Sequence, residues 1–189
     1  MQLDAVIFGG GAAGLWLLDE LVRRGRGCLL LEADRLGAGQ TVASQGIIHG
    51  GLKYSLAGPA AAASARPLRT MPELWRDCLA GRRQPDLRGV RFRGEACYLW
   101  RSRSLAGRLG LLAARLGLDV TPTRLDPLER PAILADCSGP VARLDEPVID
   151  PVGMLDLFAR RHRDRLLLID RNRVEFDTSG PGHVRTIRL

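Results

Sequence analysis

Lysine is nearly missing from this chain. Of 28 basic residues only Lys53 is a lysine, and the rest are arginines interleaved with 21 acids along 189 residues. Nucleic-acid binding needs basic residues clustered on one face or along one helix. The spread here reads instead as a solvated surface with a net charge of +7, and no nucleic-acid partner is expected. A basic face touching anionic lipid stays open. Cysteine is scarce and unpaired in pattern: Cys28, Cys78, Cys97 and Cys137 form no CxxC and have no histidine at metal-ligand spacing, so no metal site is expected and a reducing cytoplasm fits best. No basic n-region precedes the first apolar run, and Asp4, Asp19 and Glu20 interrupt it, so it reads neither as a secretory signal nor as a membrane span. There is no G-x-S-x-G, no P-loop and no repeat, which removes acyl transfer by a nucleophile elbow and P-loop phosphoryl transfer. Hydrophobic residues make up 46 % of the chain, enough for a core.

What is present begins with "AVIFGGGAAGLWLLDELVRRGRGCLLLEAD", Ala5 to Asp34. Leu3 to Phe8 reads as a buried strand. Ala13 to Arg24 reads as a helix with Leu15, Leu18, Leu21 and Val22 on one side, ended by Gly25 and Gly27, and Cys28 to Leu31 reads as a second strand. A strand–helix–strand unit of this length is a right-handed βαβ crossover with parallel strands. Further along, Gly37 to Tyr54 reads as irregular, Leu68 to Leu79 and Leu105 to Leu116 as helices, a strand follows near Val120, Val141 to Ile149 reads as extended, Arg173 to Phe176 as a strand and Gly180 to Gly182 as a turn.

Gly9, Gly11 and Gly14 have G-x-G-x-x-G spacing at the strand-to-helix turn. The first permits the sharp turn, the second admits a pyrophosphate to the backbone, and the third lets helix and strand pack closely. Ala12 and Ala13 stand at the helix start, where free N–H groups and the positive dipole end face a phosphate. Glu32, at the end of the second strand with Ala33 after it, can accept both ribose hydroxyls of an adenosine and repels a 2′-phosphate, which disfavours NADP. The pattern does not separate FAD from NAD.

The segment that follows, "ADRLGAGQTVASQGIIHGGLKYSL", resembles the D-amino-acid oxidase superfamily of FAD-dependent oxidoreductases, with glycine oxidase, glycerol-3-phosphate dehydrogenase and L-2-hydroxyglutarate dehydrogenase among its members. The family carries a glycine- and Ser/Thr-rich segment just past its acidic residue, matched here by Gly39, Gln40, Thr41, Ser44, Gln45 and Gly46, with Ile47 following. "GIIHGGLKY", Gly46 to Tyr54, is most similar to the glycerol-3-phosphate and L-2-hydroxyglutarate enzymes. "DEPVIDPVGMLDLFA", Asp145 to Ala159, is similar to the family's strand–DP–helix element beside the substrate site.

The resemblance implies an α/β fold. A Rossmann-like FAD-binding domain with a parallel sheet, residues 1–60 and 150–189, is interrupted by an antiparallel α+β substrate domain, residues 61–149. It implies FAD as cofactor, Thr41 and Ser44 donating to phosphate or ribitol oxygens, and Val174 where the backbone meets adenine. The implied reaction is hydride transfer to flavin N5 from a C–H next to O or N of a small acid: a hydroxy acid, an amino acid or glycerol phosphate. The electron acceptor is open among oxygen, a quinone and a protein. Location is cytoplasmic, with peripheral contact on the inner face of the membrane left open.

His49 is expected near the flavin; a loop histidine bonded to backbone is the plain alternative. Lys53 and Tyr54 face either the substrate cavity, where a cation attracts carboxylate or phosphate, or solvent. These three are the catalytic candidates. A NAD-dependent dehydrogenase and a flavin-binding fragment without turnover are the rival readings. The family's later strand and helix, which complete its sheet, have no counterpart before Leu189. The resemblance therefore implies a truncated chain that holds FAD poorly by itself.

Overall fold

The computed structural model describes residues 1–51, 66–100, 122–178 and 184–189. Lys53, Tyr54, the helix expected over Leu105–Leu116, the strand near Val120 and the turn at Gly180–Gly182 lie outside the described residues. In chain order the elements are β1 (Ala5–Phe8), α1 (Ala12–Arg23), β2 (Cys28–Glu32), α2 (Gln40–Ala43), α3 (Met71–Leu79), β3 (Phe92–Gly94), β4 (Cys97–Trp100), β5 (Thr123–Leu125), β6 (Val141–Leu144), β7 (Val148–Ile149), α4 (Pro151–Arg161), β8 (Leu166–Leu168), β9 (Glu175–Asp177) and β10 (Thr186–Arg188). They form a mixed α/β structure in two compact units, one of Met1–Ser44 with Pro151–Leu189 and one of Gln45–Asp150.

The first unit is built on a parallel sheet with β2 in the middle, β1 on one side and β8 on the other. The register pairs Phe8 with Leu31 and Glu32 with Leu168, so the carboxyl ends of β1 and β2 lie side by side. Helix α1 buries Leu15 and Leu18 completely. It stops at Gly25 (φ 75°) because the left-handed turn lets Gly25 N–H reach Val22 O (2.9 Å) and Arg26 N–H reach Leu21 O (3.0 Å). Helix α4 starts with Pro151 in the first turn, where a missing N–H costs nothing. It packs Phe158 against Trp16 of α1 at 6.3 Å between ring centroids.

One charged group is shut inside this contact. Asp19 of α1 is 1 % exposed; its Oδ1 lies 2.9 Å from Arg161 Nη1 and 2.8 Å from His162 Nε2. A buried charge persists only when paired in this way. The β9–β10 hairpin pairs Phe176 with Ile187, and the Phe176 ring lies 5.7 Å from Phe8. The strand expected from Arg173 starts two residues late, because Arg171–Arg173 is a 3-10 turn held by Asp170 Oδ1, which accepts from Asn172 N–H at 3.0 Å.

The second unit contains the antiparallel sheet β4-β6-β5 and the antiparallel pair β3-β7. The helix expected from Leu68 begins as a 3-10 turn, Arg66–Thr70, and becomes α-helical at Met71, because Pro72 has no N–H to give. The single extended stretch expected over Val141–Ile149 is two strands with different partners: β6 pairs with β4 and β5, and β7 with β3. The break falls at Asp145–Pro147. Pro147 cannot donate to a ladder, and Glu146 is turned inward, 2 % exposed. The segment Gly37–Tyr54, read as irregular, contains the one-turn helix α2 and a bridge between Ile47 and Val148.

Candidate functional site

In the first unit the β1–α1 turn is shaped by its glycines. Gly9 takes φ +98° while its N–H donates to Leu31 O at 2.8 Å, so the chain turns off β1 without losing the sheet. A Cβ on Gly14 would run into the Gly9 carbonyl, so helix and strand sit at a distance that only glycine allows. Gly11 is the N-cap of α1 with an ordinary φ of −82°. Space there is close, since a Cβ would stand 3.2 Å from Thr41 Oγ1, which would have to give by a few tenths of an ångström. Gly11 has no side chain with which to cap the helix; Ala12 N–H is met by Thr41 Oγ1 at 3.0 Å, and among the described residues no side chain meets Ala13 or Gly14 N–H. Those N–H groups and the helix dipole suit an anion.

Glu32 stands beside this turn. Its Oε2 accepts from Gly10 N–H at 2.6 Å, and its Oε1 accepts from Ala33 N–H at 2.7 Å and Asp34 N–H at 3.0 Å. Burial pushes its pKa up, but the bonds from Gly10, Asp34 and Ala33 together outweigh it, and the net shift is down from the ordinary 4.5. The side chain is therefore a fixed anion at neutral pH, with lone pairs left for hydroxyl donors. Next to it opens a cavity of about 290 Å³ lined by Gly9, Glu32, Ala33, Arg171 and Val174, with Phe8, Leu31, Ile169 and Phe176 as its apolar walls. Gly10 and Arg171 were not singled out from the sequence. Gly10 is the middle of three consecutive glycines, and a Cβ there would press on Leu36 and Glu32.

The hydroxyl of Ser44, expected to donate to a ligand, donates to Thr41 O at 2.8 Å. Thr41 Oγ1 serves first as an acceptor, for Ala12 N–H, and keeps its own hydrogen to give. Gly39, Gln40 and Gln45 are exposed.

In the second unit Gly46–Ile48 lies against Pro147–Ile149. Gly46 O accepts from Ile149 N–H (2.9 Å), Ile47 bridges Val148, and Ile48 N–H donates to Pro147 O (2.9 Å). This edge brings His49 to Glu146: Nδ1 lies 3.2 Å from Oε2, and Gly50 N–H donates to Oε1 at 2.7 Å. The bonding partner of His49 is thus a carboxylate, where the plain alternative expected backbone. Cys97 Sγ donates to Glu146 Oε2 at 3.4 Å. Its thiol is pushed up to about 12 by burial first, then by the charge of Glu146 and the hydrogen bond to it. Glu146 was invisible to spacing: a lone acid in an extended segment carries no period, and its partners are 49 to 97 positions away. Among the described residues, no group of three or more His, Cys, Asp or Glu side chains is gathered to hold a metal.

The glycine turn with its unmet N–H groups, the anionic Glu32 and the adjoining cavity fit a dinucleotide. No helix among the described residues is long and apolar enough to cross a membrane.

A family model described as "DAO: FAD dependent oxidoreductase" matches residues 4–182. The chain is 40 % identical over 173 residues to the probable FAD-dependent oxidoreductase PA4991 of Pseudomonas aeruginosa, a match over 90 % of this chain and 44 % of that protein. The crystal structure of PA4991 superposes with a TM-score of 0.69 at 35 % identity, over 94 % of this chain and 41 % of that one. Glycine oxidase from Geobacillus kaustophilus gives a TM-score of 0.64 at 18 % identity, over 94 % of this chain and 50 % of that one. The L-α-glycerophosphate oxidase of Mycoplasma pneumoniae, solved with FAD bound, gives 0.55 at 14 %, over 97 % and 52 %. The chain spans about half the length of these relatives or less.

Proposed function

The chain belongs to the DAO family of FAD dependent oxidoreductases, and from that premise we propose that its first unit holds the adenosine diphosphate part of FAD and that the second contributes to the substrate side. In this reading Gly11 and Ala13 present backbone N–H groups to the pyrophosphate, Ala12 stands between them with its N–H on Thr41 Oγ1, and Gly9 and Gly14 hold the turn in shape. Glu32 accepts the ribose hydroxyls, and adenine enters the cavity between Ala33 and Val174. Gly39, Gln40, Thr41, Ser44, Gln45, Gly46 and Ile47 complete the cofactor-binding set. The observation that carries the reading is the placement of the start of α1, where no described side chain meets Ala13 or Gly14 N–H, the Glu32 carboxylate and the cavity together at the carboxyl ends of β1 and β2. That edge of a parallel sheet is where such folds bind ligands.

A bound flavin supplies a two-electron hydride acceptor. The protein's part is to hold a substrate carbon in line and to manage the proton that leaves with the hydride. His49, Lys53 and Tyr54 are the residues proposed for that side. The substrate class is a small acid with a C–H next to O or N. Support comes from the "GIIHGGLKY" resemblance and from relatives named for glycine and for glycerophosphate. The reoxidant is oxygen, a quinone or a protein. Four unpaired cysteines suit a reducing cytoplasm.

The test of cofactor binding is Gly11→Val. Its backbone angles are ordinary, so the fold should survive while the branched side chain takes the pyrophosphate's place. Titration followed by flavin fluorescence should show saturable FAD binding by the unaltered chain, however weak, and none by the variant, with far-UV circular dichroism unchanged. Equal FAD binding by both, or a preference for NAD, overturns the reading. Anaerobic bleaching of bound flavin by hydroxy acids, amino acids and glycerol phosphate in turn assigns the substrate class, and bleaching by none of them removes that part of the reading.

A further inference from the structure

We propose that Glu146 is a positioning residue that sets the tautomer of His49, holding its ring proton on Nδ1 and leaving Nε2 as a hydrogen-bond acceptor. The side chain of Glu146 is 3 % exposed and that of His49 33 %. A buried carboxylate is tolerated only when its oxygens are met by donors, and here they are: Gly50 N–H on Oε1, Cys97 S–H and His49 Nδ1 on Oε2. Gly50 N–H is an obligate donor. Cys97 is a donor as well, because its thiol, with a pKa near 12, stays protonated. The carboxylate therefore presents acceptor character to the imidazole, and Nδ1 is the nitrogen it meets.

In a neutral imidazole one nitrogen donates and the other accepts. With Nδ1–H given to Glu146, Nε2 bears the lone pair. Among the described residues Nε2 has no bonding partner. Both sides of the contact are held by backbone: Ile48 N–H donates to Pro147 O, and Gly46 O accepts from Ile149 N–H. The ring is thus oriented by a partner 97 residues away, as an outer carboxylate orients a functional histidine in other sites. An acceptor nitrogen of this kind takes the hydrogen of a hydroxyl or ammonium donor. That the donor is a substrate whose adjoining carbon gives up hydride rests on the FAD reading above; the tautomer does not.

The chain has three histidines, His49, His162 and His183, so long-range 1H–15N correlation spectra of the 15N-labelled protein resolve each ring, with His49→Gln to assign the first. At a pH where His49 is neutral, the unaltered protein should show the Nδ1–H pattern. In Glu146→Gln the amide oxygen is claimed by Gly50 N–H, so the NH2 group faces Nδ1, which must then accept. The tautomer ratio should invert by roughly tenfold or more, as expected for exchanging a hydrogen bond to a charged group. Far-UV circular dichroism reports whether the variant is folded, and His162, bonded to Asp19, serves as the ring that should not change.

An Nε2–H pattern in the unaltered protein, or an unchanged ratio in a folded Glu146→Gln, overturns the proposal. If that variant does not fold, the unaltered spectrum decides together with Cys97→Ala, which should keep Nδ1–H and would overturn the proposal by losing it. Addition of FAD separates the two readings: a His49 ring that keeps its tautomer and ignores FAD removes the flavin reading and leaves the positioning one.

Discussion

Glu32 and Glu146 each gather three hydrogen-bond donors, one in each unit, and they differ in where those donors come from. Glu32 is met by backbone N–H groups of the β1–α1 turn and of its own loop, all within 22 positions, and it stands half-buried at a cavity. Glu146 is sealed, and its donors are brought from 49, 96 and 97 positions away. A βαβ unit fixes the first arrangement almost by itself, since the crossover returns β2 beside β1 in a set register. The second needs the Gly46–Gly50 edge, β4 and the β6–β7 break all to be in place. The first is a site built by local geometry, the second one built by long-range folding.

The largest effect that would break this contrast is expected at Gly14. A Cβ there meets the carbonyl oxygen of Gly9, a residue whose N–H is tied to Leu31 O. Gly14→Val should push α1 off the sheet and cost about 3 kcal/mol, the upper end of ordinary overpacking, read as a fall in the denaturant midpoint. Gly94 of β3 offers the control in the other unit. Its nearest neighbour to an added Cβ is 3.5 Å away, ordinary contact distance, and Gly94→Ala should stay within about 0.5 kcal/mol, as for an uncrowded substitution. Equal losses at the two glycines would mean that the tight turn is no tighter than the strand.

The same contrast explains what the sequence made legible. The βαβ unit, the three spaced glycines, Glu32 and the cap at Gly25 could be read from it because period, spacing and turn chemistry are local quantities. The family resemblance supplied the rest of the fold class, and the family match over residues 4–182 bears it out. What could not be read has a physical cause in each case. The break at Asp145–Pro147 was passed over because the apolar residues on either side, Val141 and Val148–Ile149, read as one extended run, although Asp, Glu and Pro are poor strand formers. Helix α2 was hidden because "GAGQTVAS" has too few residues for a period. Gly10 was overlooked because the fingerprint spacing skips it, although its N–H is the one from the β1–α1 turn that reaches Glu32.

A smaller and more selective effect is expected at Cys97. With a pKa near 12 against an ordinary 9.0, it holds on the order of a thousandfold less thiolate at a given pH, each unit being a factor of ten. Iodoacetamide at pH 8 should leave the Cys97 peptide unlabelled in the folded protein. Glu146→Gln removes the neighbouring charge and the hydrogen bond it accepts while leaving burial, the largest cause, in place. Labelling of Cys97 should therefore quicken without reaching the rate of the denatured chain. A Cys97 that labels readily before the substitution would show that Glu146 does not hold the thiol.

The smallest effect, and the one that sharpens the comparison most, is the acid limb of stability at Glu32. Its folded pKa lies below the ordinary 4.5 because the bonds from Gly10, Asp34 and Ala33 outweigh burial. A depressed folded value means that the unfolded chain takes up the proton first. The stabilisation from Glu32 is therefore complete above about pH 4.5 and is lost as pH falls from there through the folded value. Urea midpoints of the unaltered protein and Glu32→Gln, measured from pH 7 downwards, should keep a constant gap to about pH 5 and then converge. The gap should be modest, because the carboxylate is only half-buried and water screens part of its field. Convergence would show that three local N–H groups discriminate the anion from its neutral isostere. A gap that persists unchanged below the folded pKa would show that the stabilisation does not depend on ionisation, so that Glu32 acts there as a neutral acceptor and the anion is dispensable to the fold.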